Sequence, residues 1–205
     1  MTWANRITLF RFVLTLIALA LLHVAIETGQ GSGLLDACAA IVVIASLLDV
    51  VDGYVARLTG EVTQLGRILD PLVDKILICG CFIFYVRLSE LAGIVEPWVP
   101  AVLVVREFAV HAVRVDIEGR GRAFGASLWG KQKTFLQTVA AVGCLLYASH
   151  LSKMESRHTS KAVLLILVGL AVASTVVSGI IYAVAAARAL RGAASSTSSK
   201  EEKAG

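Results

Sequence analysis

The chain has 205 residues, 57% of them hydrophobic and 17% charged, with a formal net charge of +4. A soluble domain carries about 25% charged and about 45–50% apolar residues, so this composition excludes an ordinary soluble globular protein and implies a chain embedded in a bilayer. A hydrocarbon core about 30 Å thick needs roughly 20 residues of helix per crossing, which leaves room for one domain of several crossings and for no separate soluble domain.

Six stretches qualify as spans: residues 7–26, 34–57, 66–86, 94–116, 128–150 and 162–187. The first, with Arg6 and Arg11 ahead of an apolar run from Phe12, has the outline of a signal peptide. Later spans of equal strength favour a retained helix instead. The sixth holds no charged residue between Lys161 and Arg188, whereas the others are interrupted by acids or bases. No internal repeat is visible. Residues 192–205, rich in Ala, Ser and Lys, read as a disordered cytosolic tail behind a membrane domain of residues 1–191. Six spans bring both termini to one side, together with Arg6, Arg11, Arg57, Arg67, Arg120, Arg122, Lys131 and Lys133; Arg87, Lys153, Arg157 and Lys161 stay opposite. The bias of basic residues toward the cytosol then places the termini, and the loops after spans two and four, on the cytosolic face of a plasma or inner membrane. Cys38, Cys79, Cys81 and Cys144 lie in apolar stretches without zinc spacing and read as small packing residues. Trp3, Trp98 and Trp129 fall near span ends, as interfacial anchors do.

The end of span two reads LLDVVDGYVARLTG and the start of span three LGRILDPLVDK. Residues three and four apart share a helix face, so Asp49, Asp52 and Ala56 form one stripe and Gly66, Asp70 and Asp74 another. A short loop joins the two helices, which makes them expected antiparallel neighbours with facing acidic stripes. At about 4 Å and an effective dielectric near 20, each contact between like charges costs roughly 4 kcal/mol. Four gathered carboxylates must therefore be protonated, paired with bases or bound to cations. Oxygen-only ligands suit hard ions such as Mg²⁺ or Mn²⁺, and two such ions about 3.5–4 Å apart match four negative charges and attract phosphates. Gly53 and Ala56 are small where a ligand must approach the helix, although tight helix packing asks for the same residues. Arg57, one turn beyond the acids, can grip a diphosphate or snorkel to the headgroups. Pro71 is expected in the first turn of span three, where proline is tolerated.

The stretch Asp49-x-x-Asp52-Gly53-x-x-Ala56-Arg57, followed by Gly66-x-x-x-Asp70-x-x-x-Asp74, resembles the signature of the CDP-alcohol phosphatidyltransferases, with eight positions matched over 26 residues. Asn5-x-x-Thr8-x-x-Arg11 is similar to that family's amino-terminal segment. The resemblance implies an all-α integral membrane fold of six transmembrane helices, a homodimer, and a polar cavity open to the cytosol. It implies that Asp49, Asp52 and Asp70 bind two metal ions, and that Asp74 completes the site and acts as general base. It further implies that Gly53, Arg57 and Thr63 contact the CDP-lipid, with Ala56, Gly66, Asn5 and Thr8 in the same set. The reaction would transfer the phosphatidyl group of CDP-diacylglycerol to an alcohol and release CMP.

Acceptors within such a family range from glycerol 3-phosphate and inositol phosphate to serine, choline or another lipid. Arg106 lies deep in span four, where a bare cation is expensive and usually functional. Arg114 lies eight residues on, near the same face, and Lys131 and Lys133 open span five from the same edge. Together they can form a basic pocket for a phosphorylated acceptor. Alternatively, Arg106 pairs with Glu107 and the lysines only enforce orientation. Arg106-Glu107 and Gly130-Lys131-x-Lys133-Thr134 are most similar to the branch that uses glycerol 3-phosphate. His111 could join the pocket but reads better as a hydrogen-bonded packing residue; His23, His150 and His158 carry no assignment. Other acceptors (inositol phosphate, or phosphatidylglycerol to form cardiolipin) remain as alternatives. So does a membrane ion transporter, although that would spread its acids through the membrane's depth.

Overall fold

A computed structural model describes the backbone of residues 3–29, 31–59, 64–119 and 128–201, and the side chains of residues 6–29, 32–51, 72–113, 115, 117 and 133–184. Over these residues the chain forms six α-helices: α1 (Trp3–Thr28), α2 (Gly31–Thr59), α3 (Gln64–Tyr85), α4 (Trp98–Gly119), α5 (Leu128–Ser149) and α6 (Arg157–Glu201). Short 3₁₀ turns at Ser89–Leu91 and Leu151–Lys153 stand ahead of α4 and α6. No strand occurs among the described residues.

Among the described residues, three helices are long and apolar enough by themselves to cross a bilayer: Arg6–Thr28, Ser32–Val51 and Arg157–Val184, with mean hydropathies of 2.4, 2.4 and 2.6. The remaining three have 22 residues each, a length of about 33 Å at 1.5 Å per residue, but carry charge in their apolar sequence. The outer faces of the bundle are apolar, unlike those of a soluble one, and several polar side chains are buried with the apolar core. Phe10, Leu16, Val50, Phe108, Phe135 and Ile166 are exposed, whereas Thr8, Arg11, Thr15, Glu107, Lys133 and Gln137 are buried. Apolar outer faces suit a hydrocarbon solvent, and polar side chains then find their partners only inside the bundle.

On α1 the buried residues Thr8, Arg11, Thr15, Ala18, Leu22 and Ala25 recur at steps of three and four. That single inward stripe is polar at its amino-terminal end and apolar beyond. Leu35, Cys38, Val42 and Ala45 repeat the spacing on α2. Gly29, at φ +63°, ends α1 in a left-handed conformation that a Cβ would disfavour, so α2 can fold straight back against α1.

α1 packs on α2 and α3, α2 on α5, α5 on α6, α6 on α4 and α4 on α3, so the described helices close a ring in the order α1, α2, α5, α6, α4, α3. Among the described residues α2 and α3 touch far less than each touches α1; the end of α2 and the start of α3, where the acidic stripes are expected to face each other, have most of their side chains outside the described residues. The close approach of α3 to α1 depends on Gly80, where a Cβ would lie 2.8 Å from Leu19 Cδ2. Across the ring, the Tyr85 hydroxyl donates to the Ala141 carbonyl at 2.9 Å, and between the neighbours α5 and α6 Gln137 Nε2 donates to Thr175 Oγ1 at 2.9 Å. All four cysteines are buried and free, as packing residues should be.

The helix bounds differ from the expected spans at α3, α4 and α6. α4 starts at Trp98 rather than residue 94, because Pro97 disfavours helical backbone at Glu96; Ile94 and Val95 instead enter the core. α3 starts at Gln64, so Pro71 sits in its second turn and not its first. There it removes the hydrogen bond that an α-helix would make to the carbonyl of residue 67. α6 runs helical to Glu201, past residue 192 where the sequence suggests a tail.

Gly80→Leu should overpack the α1–α3 contact and cost about 1–3 kcal/mol, read as a lowered unfolding midpoint in detergent. Adding Leu19→Ala should recover part of that loss.

Candidate active site

α1 carries Arg11 into the ring at the point where α2 brings Asp49 and α3 brings Asp74. Arg11 is fully buried. Its Nη1 lies 2.7 Å from Asp49 Oδ1, its Nη2 bonds Asp74 Oδ1, and its Nε donates to the Ala45 carbonyl at 3.2 Å. All three guanidinium nitrogens are therefore engaged, each with a different residue. The Arg11 carbonyl in turn accepts from Thr15 Oγ1 at 2.9 Å. The Asp49 and Asp74 side chains remain 35% and 31% exposed against 1% for Arg11. The acids thus open outward while the cation is sealed behind them.

Thr8, one turn before Arg11, is buried on the same face. Asp52, Gly53, Ala56 and Arg57 follow Asp49 on the helical backbone of α2, Gly66 and Asp70 precede Asp74 on α3, and Asn5 lies in the first turn of α1. The side chains of these seven lie outside the described residues, and Thr63 lies outside them altogether. Among the described residues no group of three or more His, Cys, Asp or Glu side chains gathers to hold a metal. The donor set that is described, two partly open carboxylates from two helices, has the hard-oxygen chemistry that Mg²⁺ or Mn²⁺ requires.

A second cluster joins α4, α5 and α6. Arg106 Nη1 lies 3.0 Å from Glu107 Oε1, and Lys133 Nζ bonds the same oxygen. Arg106 Nη2 donates to Ser178 Oγ at 2.8 Å, and the guanidinium carbon lies 5.6 Å from the centre of the Tyr182 ring. Arg106 fits against α6 because Gly179 has no side chain: a Cβ there would meet Arg106 Cγ at 3.2 Å. The three charged side chains are 6–11% exposed and sum to one excess positive charge. Arg106 Nε is buried without a hydrogen-bond partner among the described residues. Arg106 and Lys133 thus come together on Glu107, and the pairing of Arg106 with Glu107 is the alternative that the sequence offered. Arg114 and Lys131 lie on α4 and α5 with side chains outside the described residues.

Two partners escaped the sequence reading. Arg11 counted there as a charge at the cytosolic edge and as the last residue of Asn5-x-x-Thr8-x-x-Arg11, with no partner assigned, yet it is the buried partner of two motif acids. The available signal was its place inside an apolar run, where a charge is costly unless paired. Glu107 was weighed only as a neighbour of Arg106; its bond to Lys133, 26 residues away, has no local signal.

A bundle of this kind, with carboxylates from consecutive helices drawn to one interior point, defines a class. The chain belongs to the CDP-alcohol phosphatidyltransferase family, whose sequence model matches residues 1–187. Among curated relatives, it is 35% identical over 150 residues to the CDP-diacylglycerol–glycerol-3-phosphate 3-phosphatidyltransferase of Bacillus subtilis, covering 70% of this chain and 76% of the relative. It is 34% identical over 188 residues to a Mycobacterium tuberculosis protein named "Probable phosphatidylglycerophosphate synthase", covering 92% and 81%. A Haemophilus influenzae protein with the same name as the Bacillus one is 32% identical over 104 residues, half of this chain. The protein is therefore a membrane enzyme of the phosphatidyltransferase class.

Glu107→Ala should destabilise the fold by about 3–5 kcal/mol, because it leaves two buried cations without their anion. Glu107→Ala combined with Lys133→Met should cost less than Glu107→Ala alone, as measured by unfolding in detergent.

Proposed function

We propose that the protein transfers the phosphatidyl group of CDP-diacylglycerol to glycerol 3-phosphate, forming phosphatidylglycerophosphate and CMP. The observation that carries the reading is the convergence of Asp49 and Asp74, from two different helices, on one interior point. The names of the relatives at 32–35% identity support the choice of substrates.

Asp49, Asp52, Asp70 and Asp74 would hold two divalent ions, Mg²⁺ or Mn²⁺. Such ions supply charge neutralisation and alignment of the attacking and leaving oxygens at a diphosphate. Arg57, with Gly53, Ala56, Thr63, Gly66, Asn5 and Thr8, lines the CDP-lipid site. Asp74 accepts the proton of the glycerol 3-phosphate C1 hydroxyl. That oxygen then bonds to the phosphorus carrying diacylglycerol as the bond from this phosphorus to the CMP oxygen breaks, and CMP departs with the electron pair. The excess positive charge on Arg106 and Lys133, with Arg114 and Lys131 beside them in sequence, receives the phosphate of the acceptor. The unpartnered Arg106 Nε is a donor suited to such an anion. Choline would be repelled by the same pocket. In the membrane, the reading takes all six helices as spans, the termini and site facing the cytosol, and two copies forming a homodimer.

Purified protein given CDP-diacylglycerol and a panel of alcohols should release CMP with glycerol 3-phosphate, and chelator should abolish that release. Efficient turnover with inositol phosphate or phosphatidylglycerol in its place, or indifference to chelator, overturns the reading. Removing a general base costs about 10²–10⁴ in rate, so Asp74→Ala should lose at least that much, and Asp74→Glu nearly as much because its carboxylate is displaced. Arg106→Ala and Lys133→Ala should raise KM for glycerol 3-phosphate about tenfold while changing KM for the CDP-lipid less than about twofold. Equal shifts for both substrates would assign the two cations to structure alone.

A further inference from the structure

Arg11 lies outside the eight-position acid motif, yet it is the side chain on which the described part of that motif converges. Its three nitrogens are spent on three acceptors: Asp49, Asp74 and the Ala45 carbonyl. A guanidinium is planar and rigid. Two carboxylates bonded to its separate terminal nitrogens are therefore held at a set spacing, and the bond to the Ala45 carbonyl fixes the plane relative to α2. At 1% side-chain exposure, Arg11 is sealed from the outer side, where Asp49 and Asp74 remain about a third open. Its bonds to Asp49 and Asp74 make those acids the route by which Arg11 bears on the site.

We propose that Arg11 is a positioning residue: it sets the separation of Asp49 and Asp74, and its charge offsets part of their repulsion before divalent cations arrive. This rests on the reading above that these acids hold metal. Two consequences separate its geometry from its charge. As a cation beside the site, Arg11 opposes binding of a second cation. As a rigid fork, it keeps Asp74 where the reaction needs it.

The test uses full-length protein in detergent. Mn²⁺ binding is followed in substrate-free protein by the electron paramagnetic resonance signal of free Mn²⁺, and CMP release is measured separately at saturating Mn²⁺. Arg11→Gln should bind Mn²⁺ about tenfold more tightly, because a neighbouring positive charge is gone. Its kcat should nevertheless fall about 100-fold, because the acids lose their spacing. Arg11→Lys keeps the charge but donates from a single nitrogen, so it cannot hold the two carboxylates at the fixed spacing of a planar guanidinium. It should bind Mn²⁺ within about threefold of the parent and lose about tenfold in kcat, with KM for glycerol 3-phosphate little changed. A merely structural arginine would give parallel losses of Mn²⁺ binding, turnover and melting temperature, which overturns the proposal. So does an Arg11→Lys protein with parental kcat, and this variant decides the matter if Arg11→Gln fails to fold. A parent protein that neither binds Mn²⁺ nor releases CMP would sink the metal reading and this proposal together. A parent that does both, with variants indistinguishable from it, sinks the proposal alone.

Discussion

A guanidinium with almost no solvent contact has to be neutralised by the protein around it. In the interior of this bundle the neutralising groups are Asp49 and Asp74, one on each of two helices that flank α1. Removing an ion from water costs several kcal/mol even after relaxation, and good geometry must offset that cost. The requirement ties α1, α2 and α3 together at one level of the ring. It also explains why α1, and not α2, is the main neighbour of α3. Two carboxylates on facing helices repel one another; with an arginine between them they attract a common centre. The same contact that stabilises the interior thus leaves two acids near one another and partly open, with the cation sealed behind them.

The second cluster follows the same logic with the signs reversed. Glu107 is the buried anion, and Arg106 and Lys133 are the cations that converge on it from α4 and α5. The odd charge left over is positive. One interior therefore holds an acidic centre on the α1–α3 side and a basic one among α4, α5 and α6. A reaction that joins a metal-bound diphosphate to an anionic acceptor needs both kinds of centre. The rest of the interior is apolar and tightly packed: Leu22, Phe82, Leu103 and Leu145 are sealed, and the polar exceptions such as Tyr85 and Gln137 have partners on another helix. In a hydrocarbon solvent, helices gain little by hiding apolar surface. Close packing and interhelical hydrogen bonds then carry more of the specificity.

Much of the fold could be read along the chain. Runs of apolar residues located all six helices, whereas which face of α1 is buried, the stripe Thr8, Arg11, Thr15, Ala18 and Leu22, came only from the structure. The departure at α4 has a local cause that outweighs the hydropathy signal, since Pro97 delays the helix. Of the site, the acid motif was legible because each stripe repeats at three and four residues. Arg11 and Glu107 were visible as charges in apolar helices, but nothing along the chain says which opposite charge each one meets.

Period, composition and spacing are properties of a single helix, so the sequence alone determined that the chain is helical and membrane-embedded, that acids line the end of α2 and the start of α3, and that cations enter α4 and α5. The order of helices around the ring is a property of pairs. Only the tertiary structure decided that α1 stands between α2 and α3, that Arg11 answers Asp49 and Asp74, and that Glu107 joins Arg106 to Lys133. Those pairings are set by which faces can close on one another without voids and without an unpaired charge. That balance is struck among residues far apart in the chain, and no periodicity along a single helix encodes it.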